Sequence, residues 1–231
     1  MIWEALGLGL AAQASLLIAG VIVCWVTFPR LVVGVLAGLG AGAMIAAVSF
    51  DLIAQSEALG EWEVTAAMLG GAAIFLIGDR LVEMKFGDEG TGGAMGIIVG
   101  SVVDGVPESI ILGIQIAVGP PISVPFVAAI FVSNIPQAIA PSADLAQAGW
   151  SAARLARLWT AVVAACGVAA VIGFWVAESG GAASGAWMAG IAAGGLLAML
   201  TDSLIPFAYE RGGDWAGAAT VVGFVLSMGG G

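Results

Sequence analysis

Histidine is absent from the 231-residue sequence, and this absence excludes two classes of enzyme. Metalloproteases with the HExxH motif bind zinc through two histidines, and Ser-His proteases take their general base from a histidine. The glycine-rich loop and lysine with which P-loop proteins bind phosphate groups are missing as well. We therefore predict that the chain is not an enzyme and that it holds no organic cofactor.

Cysteines and basic residues are scarce. Both cysteines, Cys24 and Cys166, lie inside apolar runs, so we expect no disulfide framework. The six lysines and arginines are too few for a nucleic-acid surface, and we expect no nucleic-acid partner. The net charge of −10 says little about the fold.

Charged residues of either sign make up only 10% of the sequence, whereas apolar residues make up 61%. A soluble domain would carry about 25% charged residues. Apolar segments of about 20 residues recur to the end of the chain, which is typical of helices that cross a lipid bilayer. We predict an all-α polytopic membrane protein with one transmembrane transporter domain over residues 1–231. Its eight predicted transmembrane helices are 4–27, 33–55, 64–84, 95–118, 123–141, 153–177, 186–209 and 214–230.

The basic residues allow a test of this segment count. If all eight segments cross the membrane, the six basic residues fall on one side and none on the other. The positive-inside rule assigns that side to the cytoplasm, so both termini are predicted to lie outside it, in a plasma or inner membrane. The basic residues are Arg30, Arg80, Lys85, Arg154, Arg157 and Arg211.

Two pairs of similar stretches indicate an internal repeat. "FDLIAQSEA" in segment 2 resembles "TDSLIPFAYE" in segment 7, and "DGVPES" in segment 4 resembles "SNIPQA" in segment 5. We expect two three-helix arms around a central helix pair, a 3+2+3 inverted-repeat arrangement that transporters commonly use. Small residues at four-residue spacing predict close helix packing. They form two stripes, Gly34, Gly38 and Gly42 in segment 2 and Ala186, Gly190 and Gly194 in segment 7.

Segments 4 and 5 carry the polar residues that point to a function. Asp104 and Glu108 are four residues apart and share a helix face. Ser133, Asn134 and Gln137 form a similar group on segment 5. A proline in each segment, at positions 107 and 136, removes a backbone donor and frees a carbonyl group one turn back. Together these groups form an oxygen-rich cage suited to a divalent cation.

The cost of burying a carboxylate favours this interpretation. A carboxylate at bilayer depth costs at least about 2.5–3.5 kcal/mol and normally faces a site, a partner or a water path. The alternative is that one acid is protonated and hydrogen-bonded between helices. Asp51, Asp202 and Ser203 in segments 2 and 7 are weaker candidates, which would line a pathway or contact water.

At "VVDGVPESIILGI" and "FVSNIPQAIAPS" the sequence resembles the ZIP family of divalent metal transporters, and the likeness extends to segments 2 and 7. The resemblance implies a binuclear metal site between the fourth and fifth helices. Asp104 stands at the motif histidine, Gly105 at an asparagine and Glu108 at a glutamate, while Gln137 replaces a bridging glutamate. Because only two acids remain, we expect one metal site with ligands from Asp104, Glu108, Ser133, Asn134 and Gln137.

We accordingly expect transport of a divalent metal, Zn, Mn or Fe, into the cytoplasm, with the metal ion as substrate. A second copy of the chain is a candidate partner, as a homodimer. Two alternatives remain open. One is a non-transporting metal sensor or scaffold with a decayed site. The other is a carrier of a different solute in which Asp104 or Glu108 relays protons.

Overall fold

The computed structural model describes residues 1–86, 94–118 and 124–228, and it describes their side chains except at 82–83, 85–86, 94–104, 118 and 181–184. Every regular element in these ranges is helical, which confirms the predicted all-α class. The α-helices are α1 Ile2–Ile22, α2 Arg30–Ala47, α3 Ile53–Ser56, α4 Glu61–Phe86, α5 Ala94–Val118, α6 Val124–Gln147, α7 Ala152–Met199, α8 Ile205–Gly212 and α9 Asp214–Met228.

Two single π-helical turns interrupt longer helices. Val48–Leu52 joins α2 to α3, and Leu200–Leu204 joins α7 to α8. A π-helical turn widens the helix locally and is frequent at functional sites. Both turns contain an aspartate, and both fall in the stretches whose sequences are similar.

Six helical stretches in the described part of the chain are long and apolar enough to cross a membrane. They match predicted segments 1, 2, 3, 5, 6 and 7, and the protein is therefore a multi-pass helical membrane protein. Two shorter apolar helices, Gly105–Ala117 and Asp214–Met228, match segments 4 and 8. The six stretches are Ile2–Ile22, Arg30–Ser56, Glu61–Leu81, Val124–Gln147, Ala152–Gly180 and Gly185–Gly212.

Two helix ends differ from their predicted positions by five residues or more. α1 ends at Ile22 rather than at 27, and α6 continues to Gln147 rather than ending at 141. The continuation of α6 includes Pro141 inside the helix. Membrane helices tolerate such a proline because neighbouring helices and side chains satisfy the freed carbonyl group.

Helical hydrogen bonding extends from Ala152 to Met199, but this stretch cannot be straight. A side chain at Gly173 would strike the Ile110 carbonyl oxygen, and Ile191 lines a cavity together with the same Ile110. In a straight helix, residues 173 and 191 would be about 27 Å apart. The chain therefore turns back between them, and Ala152–Gly180 and Gly185–Gly212 act as two separate spans, as predicted for segments 6 and 7.

The predicted small-residue stripes pack helices closely against each other. Gly34 and Gly38 lie against Gly212 and Ala216, and a side chain at Gly42 would collide with the Thr220 carbonyl oxygen. These contacts fasten α2 to α8 and α9. In the second stripe, Gly190 and Gly194 lie against α4 at Ala67 and Met68. The prediction of close packing is confirmed at these positions.

Two of the basic residues, Arg30 and Arg211, lie at the same end of the bundle. Arg30 and Arg211 line the same cleft of ≈ 380 Å³, together with Asp144 near the end of α6. Arg30 also forms an exposed ion pair of 3.5 Å with Glu210. The Arg154 guanidinium stacks at 3.7 Å over Trp150. Trp150 belongs to the same apolar cluster as Phe28, which precedes α2, and Val33 of α2.

Candidate functional site

α5 presents its polar residues to α1 in the middle of the bundle. Glu108 and Ser109 have no exposed surface, although they lie within an otherwise apolar helix. Gly105 precedes them by one turn and is also buried. Because positions three and four residues apart share a helix face, these residues form one polar strip along α5.

Gln13 of α1 lies opposite this strip. Its side chain is fully buried, and its amide nitrogen Nε2 donates a hydrogen bond of 3.1 Å to the Glu108 carboxylate oxygen Oε2. The same nitrogen lies 3.4 Å from the Gly105 carbonyl oxygen and 3.4 Å from the Ser109 hydroxyl oxygen. A carboxylate hydrogen bond of this kind lowers the cost of burying the charge.

α6 completes the cluster through Asn134. Its amide nitrogen Nδ2 donates a hydrogen bond of 2.8 Å to the Gln13 oxygen Oε1. Gln13 thus connects Glu108 on α5 with Asn134 on α6, and both of its amide atoms are used. The predicted site residues Glu108 and Asn134 are brought together, but through a third side chain rather than directly.

Gly105 gives Gln13 the room to reach α5. A Cβ atom at this position would lie 3.3 Å from Gln13 Oε1 and only 2.8 Å from the Cys166 sulfur. Cys166 is fully buried on α7, and its thiol contacts Ser109. A larger residue at 105 would therefore push apart α1, α5 and the first span of α7 where the polar residues meet.

The other predicted ligands on α6 are placed differently. The Ser133 hydroxyl donates a hydrogen bond of 3.0 Å to the Ile130 carbonyl of its own helix. The backbone of Ser133 lies against Gly40 of α2. Gln137 is half-buried, and its Nε2 has no hydrogen-bond partner among the described residues.

Asp104 lies on α5, one turn before Glu108, but its side chain is outside the described residues. Among the side chains that are described, no group of three or more acidic residues or cysteines is positioned to hold a metal ion. The described groups that hydrogen-bond to Gln13 are the Glu108 carboxylate and neutral groups of Gly105, Ser109 and Asn134.

The weaker candidates fall on the two π-helical turns. Asp51 lies in Val48–Leu52 and is half-buried, while Asp202 and Ser203 lie in Leu200–Leu204, with Asp202 exposed. Asp202 is therefore in a different environment from the fully buried Glu108. The two turns share one feature, which is an aspartate within a π-helical turn in each of the two stretches with similar sequences.

Gln13 is the functional residue that the sequence analysis missed. The signal was present, because a glutamine interrupts the first apolar run at "LAAQASLL". A single neutral polar residue in such a run does not by itself indicate a site. The two partners of Gln13 become visible only when α1 packs against α5 and α6. Gln115 of α5 is also buried, with 2% of its surface exposed, and neither of its amide atoms has a partner among the described residues.

No protein-family model and no curated protein matches the chain. The chemistry of this centre therefore rests on its own residues, which are a buried carboxylate and two amides from three helices that meet inside a membrane protein.

Proposed function

We propose that this protein transports a divalent metal cation across the membrane through the centre formed by Glu108, Gln13 and Asn134. The observation that carries the proposal is the complete burial of the Glu108 carboxylate within a bundle of membrane-spanning helices. Such an acid is costly in the bilayer and is normally found where a substrate, an ion or water passes. The motif similarity to ZIP transporters around this glutamate supports the same function.

The donor atoms favour a cation over other solutes. Glu108 offers a carboxylate, Gln13 and Asn134 offer amide oxygens, and Ser109 and Gly105 offer a hydroxyl and a carbonyl oxygen. Carboxylate, carbonyl and hydroxyl oxygens suit hard divalent ions such as Mn²⁺ better than they suit soft ions. We place Mn²⁺ and Fe²⁺ before Zn²⁺ as substrates.

An inverted repeat would place this centre at the junction of two matching halves. Support comes from the two π-helical turns, each with an aspartate, in the similar stretches of segments 2 and 7. Further support comes from matched glycine contacts, which join α2 to α9 and α4 to the second span of α7. With eight crossings in a 3+2+3 order, movement of the outer helices against α5 and α6 would open the centre to each side in turn.

The proposed orientation in the membrane rests on the basic end of the bundle. Arg30 and Arg211 share one cleft, and by the positive-inside rule this end faces the cytoplasm. Both termini then lie outside, in a plasma or inner membrane. Net uptake into the cytoplasm would follow the gradient of the cation.

The test is uptake of Mn²⁺, Fe²⁺ and Zn²⁺ by vesicles that contain the purified protein. Glu108→Gln keeps the size of the side chain and removes its charge, so we expect it to abolish uptake. Glu57→Gln is the matched control, because Glu57 is an exposed acid outside the cluster. Uptake that Glu108→Gln leaves at the wild-type rate would contradict the assignment of the centre.

One observation favours a second function, that of a carrier that moves another solute with a proton on Glu108. Among the described groups that hydrogen-bond to Gln13, one is a carboxylate, and a single carboxylate can carry a proton but balances only half of the charge of a divalent ion. This function predicts solute uptake that depends on a pH gradient and no metal uptake. Metal binding without any uptake would instead indicate a non-transporting sensor.

A further inference from the structure

Oxygen atoms of α5 surround a single nitrogen atom of α1. Gln13 Nε2 lies 3.1 Å from the Glu108 carboxylate oxygen. It lies 3.4 Å from both the Gly105 carbonyl oxygen and the Ser109 hydroxyl oxygen. An amide nitrogen carries partial positive charge through its hydrogens, but it donates hydrogen bonds and is no ligand for a cation. It therefore occupies the position where a cation would meet these three oxygens.

We propose that the Gln13 amide group takes the place of the transported cation in the empty protein and rotates when the cation binds, so that its oxygen becomes a ligand. This inference rests on the proposed transport function. It assigns to α1 a cation-binding residue that lies outside the motifs of segments 4 and 5.

A half-turn of the amide exchanges its two terminal atoms. Oε1 then faces the Glu108 carboxylate. The two oxygens repel each other when no cation is present, and a cation between them attracts both. Nε2 turns towards Asn134, which now donates to Oε1 at 2.8 Å. Asn134 must turn as well, so that its own oxygen accepts a hydrogen bond from Nε2. Cation binding at Glu108 is thereby transmitted through α1 to α6.

The distances indicate how binding would move the helices. The three oxygens lie 3.1–3.4 Å from Nε2, which are hydrogen-bond distances. Oxygen ligands lie at roughly 2.0–2.2 Å from Mg²⁺ or Zn²⁺. An oxygen–cation–oxygen bridge is therefore up to about 4 Å long, longer than the present contacts. Loading a small divalent cation between Oε1 and the α5 oxygens displaces the Gln13 side chain from α5 by up to about 1 Å, and shifts of this size at a site can bias larger helix movements.

The test is equilibrium binding of Mn²⁺ to the purified protein, followed as the rise in its thermal unfolding temperature. We expect Gln13→Leu, which has no ligand atom, to raise the half-saturating Mn²⁺ concentration by about tenfold or more. We expect Gln13→Glu to lower it by about tenfold, because an oxygen faces Glu108 without rotation and adds charge. Gln115→Leu is the matched control, because Gln115 is a buried glutamine of α5 whose amide has no partner among the described residues. This change should leave the half-saturating concentration unchanged.

The outcomes separate this inference from the function on which it rests. If the wild-type protein shows no such rise with Mn²⁺, nor with Fe²⁺ or Zn²⁺ in the same assay, both the transport function and the inference are wrong. If the wild type responds and neither Gln13 variant changes the half-saturating concentration, the inference alone is overturned. If Gln13→Leu does not fold, the half-saturating concentration of Gln13→Glu tests the inference, because glutamate has the same shape as glutamine.

Discussion

The indole nitrogen of Trp159 donates a hydrogen bond of 2.8 Å to the hydroxyl oxygen of Ser142, and both side chains are fully buried. This bond joins the first span of α7 to α6. Gly20 of α1 lies directly against the indole ring, so three helices meet at this point.

Trp159→Phe should therefore destabilise the bundle. The change removes the indole donor and leaves the Ser142 hydroxyl without its partner in a buried position, which costs about 1–3 kcal/mol of unfolding free energy. Trp175→Phe is the control on the same helix, because Trp175 is 68% exposed. Reversible unfolding in mixed detergents measures both. Equal stability of the two variants would show that the buried bond contributes nothing.

Gly42→Ala should weaken the contact between α2 and α9. A Cβ atom at Gly42 collides with the Thr220 backbone carbonyl, which cannot move without shifting α9. We expect a loss of about 1–3 kcal/mol of unfolding free energy. Gly217→Ala on α9 meets open space and should gain about 0.5–1 kcal/mol from helix propensity. The same unfolding assay applies, and a neutral Gly42→Ala would contradict the packing of these two helices.

Gln115→Leu should stabilise the protein. Gln115 is 2% exposed, and its amide has no partner among the described residues, so burying it costs about 1–3 kcal/mol that leucine avoids. Gln13→Leu should have the opposite sign, because it removes the hydrogen bonds that join Glu108 and Asn134. Thermal unfolding of the two variants side by side measures the contrast. A less stable Gln115→Leu would mean that the amide binds water or solute.

The orientation in the membrane can be tested with two exposed alanines. Ala58 lies between α3 and α4, and Ala148 lies between α6 and α7. In a protein with Cys24 replaced by alanine, we expect an impermeant maleimide to label Ala58→Cys in intact cells. It should label Ala148→Cys only after the membrane is opened. The remaining Cys166 is fully buried and should stay unlabelled in both proteins. The reverse pattern would contradict the assignment of the basic end to the cytoplasm.

Hydropathy predicted the helices well because a backbone in lipid must satisfy its own hydrogen bonds, so each long apolar run becomes a helix. The ends were predicted less well, as α6 shows by continuing through Pro141 to Gln147. The two π-helical turns were not predicted, although the similar stretches that contain them were identified. Their geometry depends on local backbone hydrogen bonds that residue type alone does not specify.

The sequence by itself determined that this is a helical membrane protein with a carboxylate, Glu108, inside an apolar helix. Composition and the length of the apolar runs are sufficient for that conclusion, since they reflect the cost of polar groups in lipid. Only the tertiary structure decided that Gln13 stands between Glu108 and Asn134. Those residues are far apart along the chain, and their contact depends on how α1, α5 and α6 pack around the small residue Gly105.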